Sequence, residues 1–339
     1  MKVLMIGGNG NISWYCTQKA IEAGYEVWEL NRGLTRRTRR AVQPEVRQLI
    51  GDMRCFDEAY KLIKDMTFDV VCDFICFNNE QAENDIRLFE GRTKQLIFIS
   101  SESVYMRKSS SIPFTESAEQ YNVSVPDSYI AGKIHAEQVF QMAYETRNFP
   151  VTIVRPGYTY DVIVPAPIGH NCFTAPGKYL LGYPLLMPGD GTNLWSPLHS
   201  RDFANGFIRL MGNPDAIGEA FHITNDTLTT WNELAEQLLA ALGVQNQQII
   251  HIPYDEALLI NTFQSNIIVQ QRMWHYVYNN SKIKKIADGW KAETSFAEGI
   301  KETVDWLFLD ESHRRFNPKY DANLDKLYAK YWTYRGNRK

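Results

Sequence analysis

The stretch KVLMIGGNGNIS, Lys2 to Ser13, decides how the rest of the chain is read. An apolar run leads into glycines and then into SWYCTQKAIEAG (13–24), which has helical periodicity. This is the pattern of a strand, a tight turn and a helix. Gly7-x-x-Gly10-x-x-Ser13 occupies the turn. Glycine there permits the sharp reversal and lets backbone N–H groups approach a pyrophosphate at the helix N-terminus. A third glycine would be the stronger pattern; Ser13 is the next smallest residue that still lets helix and strand pack closely.

Outward from this stretch the same alternation continues. Apolar runs recur at YEVWELN (25–31), FDVVCDFICF (68–77), QLIFIS (95–100) and VTIVRPG (151–157), with helical stretches such as CFDEAYKLIKDM (55–66) between them. Continuous apolar strands separated by helices of about 10 to 15 residues predict an α/β fold, a Rossmann-type doubly wound parallel sheet. After residue 157 the texture changes to Pro- and Gly-rich segments, and the C-terminal third is helical and aromatic. The expected plan is a dinucleotide-binding domain over 1–157, with 198–225 returning to it. Residues 158–197 and 226–339 then form a smaller α/β substrate-binding domain with a helical tail.

Composition bounds the function. Apolar residues make up 44% and charged residues 22%, as in an ordinary globular protein. A net charge of −3 argues against a dedicated nucleic-acid partner. The five cysteines form no C-x-x-C pair, which fits reduced thiols, and Cys72 and Cys76 lie in a strand-like run as small hydrophobes. The apolar stretch before the first glycines is too short for a signal peptide, and no run reaches the roughly 18 apolar residues of a membrane span. A soluble cytoplasmic protein with no membrane partner is expected. The seven histidines show no metal-ligand spacing, so no metal is expected, and no G-x-S-x-G elbow marks a hydrolase.

The end of the second apolar run bears on the choice of dinucleotide. An acidic residue there would bond the ribose 2′-hydroxyl of NAD. This chain has Asn31-Arg32, followed by Arg36, Arg37, Arg39 and Arg40. A guanidinium suits a 2′-phosphate, so NADP is favoured over NAD. Asp52 is placed to contact adenine.

SYIAGKIHAE (128–137) sets Tyr129 and Lys133 four residues apart, on one helix face. Alone, such a pair is compatible with a packed ring and a snorkelling lysine. The context is more specific. Gly7-x-x-Gly10, Asp52, ISSESVY (99–105), IPFTES (112–117), Tyr129-x-x-x-Lys133, VRPG (154–157), SPLHSRDFANG and GEAFHIT occur in one order over roughly residues 1 to 305. In this the chain resembles the extended short-chain dehydrogenase/reductase family, the group of NAD-dependent epimerases and dehydratases. The resemblance implies a catalytic set of Ser101, Tyr129 and Lys133. It also implies cofactor contacts at Gly7, Gly10, Asn11, Ile12, Asn31, Arg32, Asp52, Met53, Phe74, Ile75, Lys133 and Pro156. A lysine ammonium and an oxidised nicotinamide would favour the ionised phenol of Tyr129, which then exchanges a proton with a substrate hydroxyl as hydride moves. Ser101 would hydrogen-bond the reacting oxygen.

The residues around that set bear on the reaction. Sugar 4,6-dehydratases of this kind carry a glutamate two residues before the tyrosine that is Tyr105 here; this chain has Ser103, with Glu102 one residue earlier. Dehydration loses ground, although Glu102 is a candidate extra acid or base. After VRPG, a diphosphate-contacting asparagine is replaced by Tyr158, and four residues before His199 a phosphate-binding arginine is replaced by Trp195. An indole stacks on a ring where arginine forks onto phosphate. Glu102, Ser103, Tyr158, Trp195 and His199 are the candidate substrate contacts. The expected function is an NAD(P)-dependent epimerase or oxidoreductase acting on a sugar or nucleotide-sugar hydroxyl. A carbonyl reductase and a non-catalytic nucleotide sensor are the alternatives. The resemblance further implies a homodimer built on QAENDIRLFEG and YIAGKIHAEQVFQMAYE.

Overall fold

A computed structural model describes residues 1–34, 40–107, 111–121, 128–168, 172–244, 248–254 and 272–336. The chain divides into two units. The first comprises Met1–Thr159, Pro197–Asp226 and Tyr278–Glu293, and the second Tyr160–Ser196, Thr227–Val277 and Thr294–Lys339.

The first unit is built on a seven-stranded parallel sheet. Its strands in chain order are β1 (Lys2–Ile6), β2 (Glu26–Asn31), β3 (Arg47–Ile50), β4 (Val70–Asp73), β5 (Leu96–Ile99), β6 (Val151–Pro156) and Ala220–Ile223. The spatial order is β3-β2-β1-β4-β5-β6 followed by Ala220–Ile223, so the chain reverses direction across the sheet between β1 and β4. Registers such as Val3↔Val27 and Val3↔Val70 place β1 between β2 and β4. The doubly wound sheet expected from the sequence is therefore the observed one.

The continuous apolar runs have a direct cause: both faces of the sheet are covered. Val3 and Met5 point to one face and pack with Cys16, Val70, Ile97, Phe203 and Phe207. Leu4 and Ile6 point to the other and pack with Val71, Phe98, Phe89, Phe140 and Val151. The first face is covered by α1 (Ser13–Glu22) and the helix Ser200–Phe207, the second by α2 (Phe56–Ile63), α3 (Asn79–Phe89) and α4 (Ser128–Arg147). Asn78 starts α3 by accepting the Gln81 N–H at 2.9 Å, an N-cap that satisfies one orphan donor.

The second unit contains two short strand pairs, parallel Leu185–Pro188 with Ile249–Ile252 and antiparallel Leu194–Trp195 with Thr229–Thr230. Its helices include Trp231–Ala241 and Phe296–Leu309, each opened by a capping box, Thr230 with Glu233 and Ser295 with Glu298. No helix among the described residues is long and apolar enough to cross a membrane. All five cysteines are free thiols, and Cys16, Cys72 and Cys76 are buried.

Candidate active site

The glycine turn is closed from within. Ser13 Oγ donates to the Gly7 carbonyl and accepts the Gly10 N–H, both at 2.6 Å, and Thr17 Oγ1 donates to the Gly8 carbonyl at 3.0 Å. Gly7 has φ +76°, a left-handed backbone, and a Cβ there would lie 2.7 Å from Ile75 Cγ2. Ser13 therefore takes the place of a third glycine by tying the loop to itself. Asn11 Nδ2 donates to the Thr159 carbonyl at 3.5 Å, while its buried Oδ1 accepts no hydrogen bond among the described residues. An orphaned acceptor beside a glycine turn at a helix N-terminus fits a dinucleotide with hydroxyl donors. Ile12 follows half-buried at the N-cap of α1.

At the other edge of this loop, Asn31 Oδ1 accepts the Gly33 N–H at 2.8 Å, and Arg32 is exposed. Asp52 is gripped by Arg54 through Nε at 3.0 Å and Nη2 at 2.7 Å. Those bonds, with Arg32 also close, hold the Asp52 carboxyl down at about 2. Met53 beside it is buried. Arg40 lies over the rings of Trp14 and Tyr15 at 5.2 and 5.3 Å, whereas Arg36, Arg37 and Arg39 fall outside the described residues.

The carboxyl ends of β4 and β5 meet the first turns of α4. Lys133 is 2% exposed, and its Nζ donates to the carbonyls of Cys76 and Ile99 at 2.6 Å each. It also lies 4.5 Å from the Phe77 ring centroid, 5.0 Å from that of Phe98 and 6.0 Å from that of Tyr129. Burial pulls this ammonium down to about 8. Tyr129, one turn earlier, is 42% exposed. Ser101 caps the short 3-10 turn Glu102–Val104 by accepting the Ser103 N–H at 3.1 Å. Phe74 and Ile75 lie in the turn after β4, and Pro156 ends β6 at the same carboxyl edge of the sheet.

Between the tyrosine and the lysine stands Gly132, where a Cβ would lie 2.2 Å from the Phe77 carbonyl oxygen. The helix can approach the turn after β4 only because this position is bare. Gly132→Ala must push α4 away from the Phe77 carbonyl, next along the turn from the Cys76 carbonyl that Lys133 bonds, and we expect it to cost about 1–3 kcal/mol of stability. Chemical denaturation measures this; an unchanged midpoint would mean that the approach is not tight.

Of the candidate substrate contacts, Glu102 is committed. Its carboxylate is ion-paired with Arg107 and accepts the Tyr278 hydroxyl at 2.5 Å, all three being buried. Ser103 is buried and Tyr158 half-buried. His199 is fully buried, and its Nδ1 caps the helix Ser200–Phe207 by accepting the Arg201 N–H at 3.2 Å. Trp195 belongs to the second unit, where it is 1% exposed and stacked on Tyr276 with ring centroids 3.9 Å apart.

One buried network had no reading in the sequence. Arg155, in the VRPG stretch, reaches across to Glu137 of α4 with Nε to Oε1 at 2.9 Å and Nη2 to Oε2 at 2.7 Å. Its Nη1 donates to the Tyr105 hydroxyl at 3.1 Å and to the Glu116 carbonyl at 2.8 Å. Tyr105 in turn meets His222 Nδ1 at 3.0 Å, and burial pushes its phenol up to about 12. The available signal was a lone arginine in an otherwise apolar strand.

A glycine turn leading from β1 into a helix, beside a reversal of strand order, is the arrangement of a dinucleotide-binding Rossmann fold. A model described as the NAD dependent epimerase/dehydratase family matches residues 3–224, and the chain belongs to that family of enzymes. The chain is 25% identical over 338 residues to the chloroplast stem-loop binding protein of 41 kDa b of Arabidopsis thaliana, covering 96% of this chain and 83% of the relative. It is also 25% identical over 224 residues to the dTDP-glucose 4,6-dehydratase of Streptomyces niveus, covering 63% of this chain and 57% of that protein. Among solved structures, the dTDP-glucose 4,6-dehydratase of Bacillus anthracis in complex with NAD superposes with a TM-score of 0.70 at 20% identity, covering 92% of this chain and 97% of that one. That likeness is one of fold.

Proposed function

We propose that the chain is an epimerase that oxidises and re-reduces a hydroxyl-bearing carbon of a sugar or nucleotide sugar. The observation that carries this reading is Lys133, buried and held by two carbonyls one helical turn from an exposed Tyr129. The nicotinamide, when bound, supplies the hydride acceptor. Tyr129 takes the hydroxyl proton as the C–H bond breaks and returns a proton when hydride comes back. Lys133 keeps a positive charge beside it, and Ser101 orients the reacting oxygen. Since Arg107 and Tyr278 occupy the Glu102 carboxylate, proton transfer falls to Tyr129 alone, as epimerisation requires and dehydration does not. Gly7, Gly10, Asn11 and Ile12 cradle the pyrophosphate, and exposed Arg32 favours NADP by pairing with a 2′-phosphate. We further propose a cytoplasmic homodimer formed through α3 and α4.

A second reading is favoured by one observation: the stem-loop binding relative matches 96% of the chain, both units included, whereas the Streptomyces niveus dehydratase matches 63%. On that reading the protein binds a nucleic-acid stem-loop. One experiment addresses both. Mass spectrometry of whatever the freshly purified chain releases on denaturation is expected to show near-stoichiometric NADP. NAD in its place would overturn the Arg32 argument, an empty but titratable site would favour a reductase that exchanges its cofactor, and co-purifying nucleic acid would favour the second reading.

A further inference from the structure

The turn after β4 carries a buried pair of carboxyls with no part in the chemistry above. Asp73, the last residue of β4, is 1% exposed, and Asp85 on α3 is 2% exposed. Asp73 Oδ1 accepts the backbone N–H groups of Ile75 at 2.6 Å and Cys76 at 2.9 Å. These bonds shape the turn that presents the Cys76 carbonyl to Lys133. The two buried carboxyls lie close enough for each to act on the other's protonation. Two buried carboxyls so near each other do not both ionise, so the pair holds one proton. Asp73 already receives two N–H groups and is the better stabilised anion, so Asp85 keeps the proton. Burial raises both carboxyls, Asp85 well above the usual range. Asp85 Oδ2 accepts no hydrogen bond among the described residues, which a neutral carboxyl tolerates better than an anion.

Lys133 is tied through the Cys76 carbonyl to the turn that Asp73 shapes, and it lies within electrostatic reach of both aspartates. The titratable groups acting on it are Cys76 in the turn, Asp73 on β4, Glu137 on α4 and Asp85 on α3. Burial pushes the Cys76 thiol up, so it is neutral, and Glu137 is already held by Arg155. What remains to balance Lys133 is the single charge of the aspartate pair. We propose that Asp73 and Asp85 are positioning residues for Lys133, sharing one proton so that one negative charge and one fixed turn hold the ammonium in place. The proposal rests on the reading of Lys133 as part of the catalytic set. Without that charge, an ammonium so deeply buried would release its proton at lower pH and leave Tyr129 without a cation beside it.

The test is an NMR titration of the full chain carrying lysine labelled with 13C at Cε, with the Lys133 signal assigned by its loss in Lys133→Met. In the native chain its midpoint is expected at about 8. Asp85→Asn keeps a donor to Asp73 and keeps the single charge, so the midpoint should stay in place. Asp73→Asn combined with Asp85→Asn removes the charge and should lower the midpoint to about 7 or below, a tenfold or larger loss of proton affinity. A double variant that titrates like the native chain overturns the proposal. So does an Asp85→Asn variant that falls as far as the double. If the double variant does not fold, adding Lys133→Met should restore a folded chain, because the uncompensated ammonium is then gone; failure to restore it overturns the proposal as well. The titration needs neither nucleotide nor substrate. A chain that titrates as expected but turns over no sugar keeps the pair and loses the catalytic reading, and the converse result separates them equally well.

Discussion

Tyr129→Phe is expected to lower turnover by about 10²- to 10⁴-fold while leaving the nucleotide bound, the range that a positioned acid–base group contributes. The substitution removes one oxygen and keeps the ring, whose centroid lies 6.3 Å from that of Phe77. Because Tyr129 is 42% exposed, the fold should lose less than about 0.5 kcal/mol. Activity and stability are thus separable at this position in a way that they are not at Lys133. The measurement is steady-state turnover of a UDP- or dTDP-hexose, paired with the nucleotide content of the same preparation. Loss of activity with full nucleotide content is the expected pairing. Retained activity would remove Tyr129 from the chemistry, and loss of both together would mark it as a binding residue.

Arg155→Ala should give the largest loss of stability, about 3–5 kcal/mol, because it leaves a charge without its partner inside the protein. Glu137 is 4% exposed and Arg155 5% exposed, so water cannot take over the role of the guanidinium. The Tyr105 hydroxyl and the Glu116 carbonyl lose a donor in the same step. Urea denaturation would register the loss as a lower midpoint. The diagnostic comparison is Arg155→Met with Glu137→Leu, which removes both charges and should recover much of what the single substitution cost. If Arg155→Ala alone were tolerated, the network would be ornamental, and β6 would be held by its apolar contacts.

What could be read from the chain divides by distance along it. The sheet was legible because every contributing signal is local. KVLMI, VVCD and LIFI are apolar without alternation, and only a strand buried on both faces requires that. The glycine turn and the Tyr129–Lys133 spacing are local too, within one loop and one helical turn. Illegible features depend on partners far away. Glu102 reads as a candidate acid until Tyr278, 176 residues later, takes its carboxylate. Arg155 reads as a charge of no evident use until α4 brings Glu137 beneath it. Asp73 ends an apolar run and Asp85 lies on the next helix; nothing in their spacing announces that the two carboxyls act on each other. Trp195 reads as a ring platform, whereas Tyr276 already covers it. Nor does any motif mark Tyr278–Glu293 as part of the first unit.

That last segment bears on how such a protein can be altered. The chain passes between its two units at 159, 196, 226, 277 and 293, so neither unit is one continuous length of polypeptide. Cutting after residue 159 would strip away Ala220–Ile223 and leave β6 an open sheet edge, an invitation to self-association. A laboratory wishing to graft a new specificity onto the dinucleotide half cannot fuse one module behind another. It must exchange three separate segments at once, two of them inserts, and respect every junction. Natural diversification of this architecture faces the same constraint, and the more accessible route is substitution within the inserts while the threading is left alone.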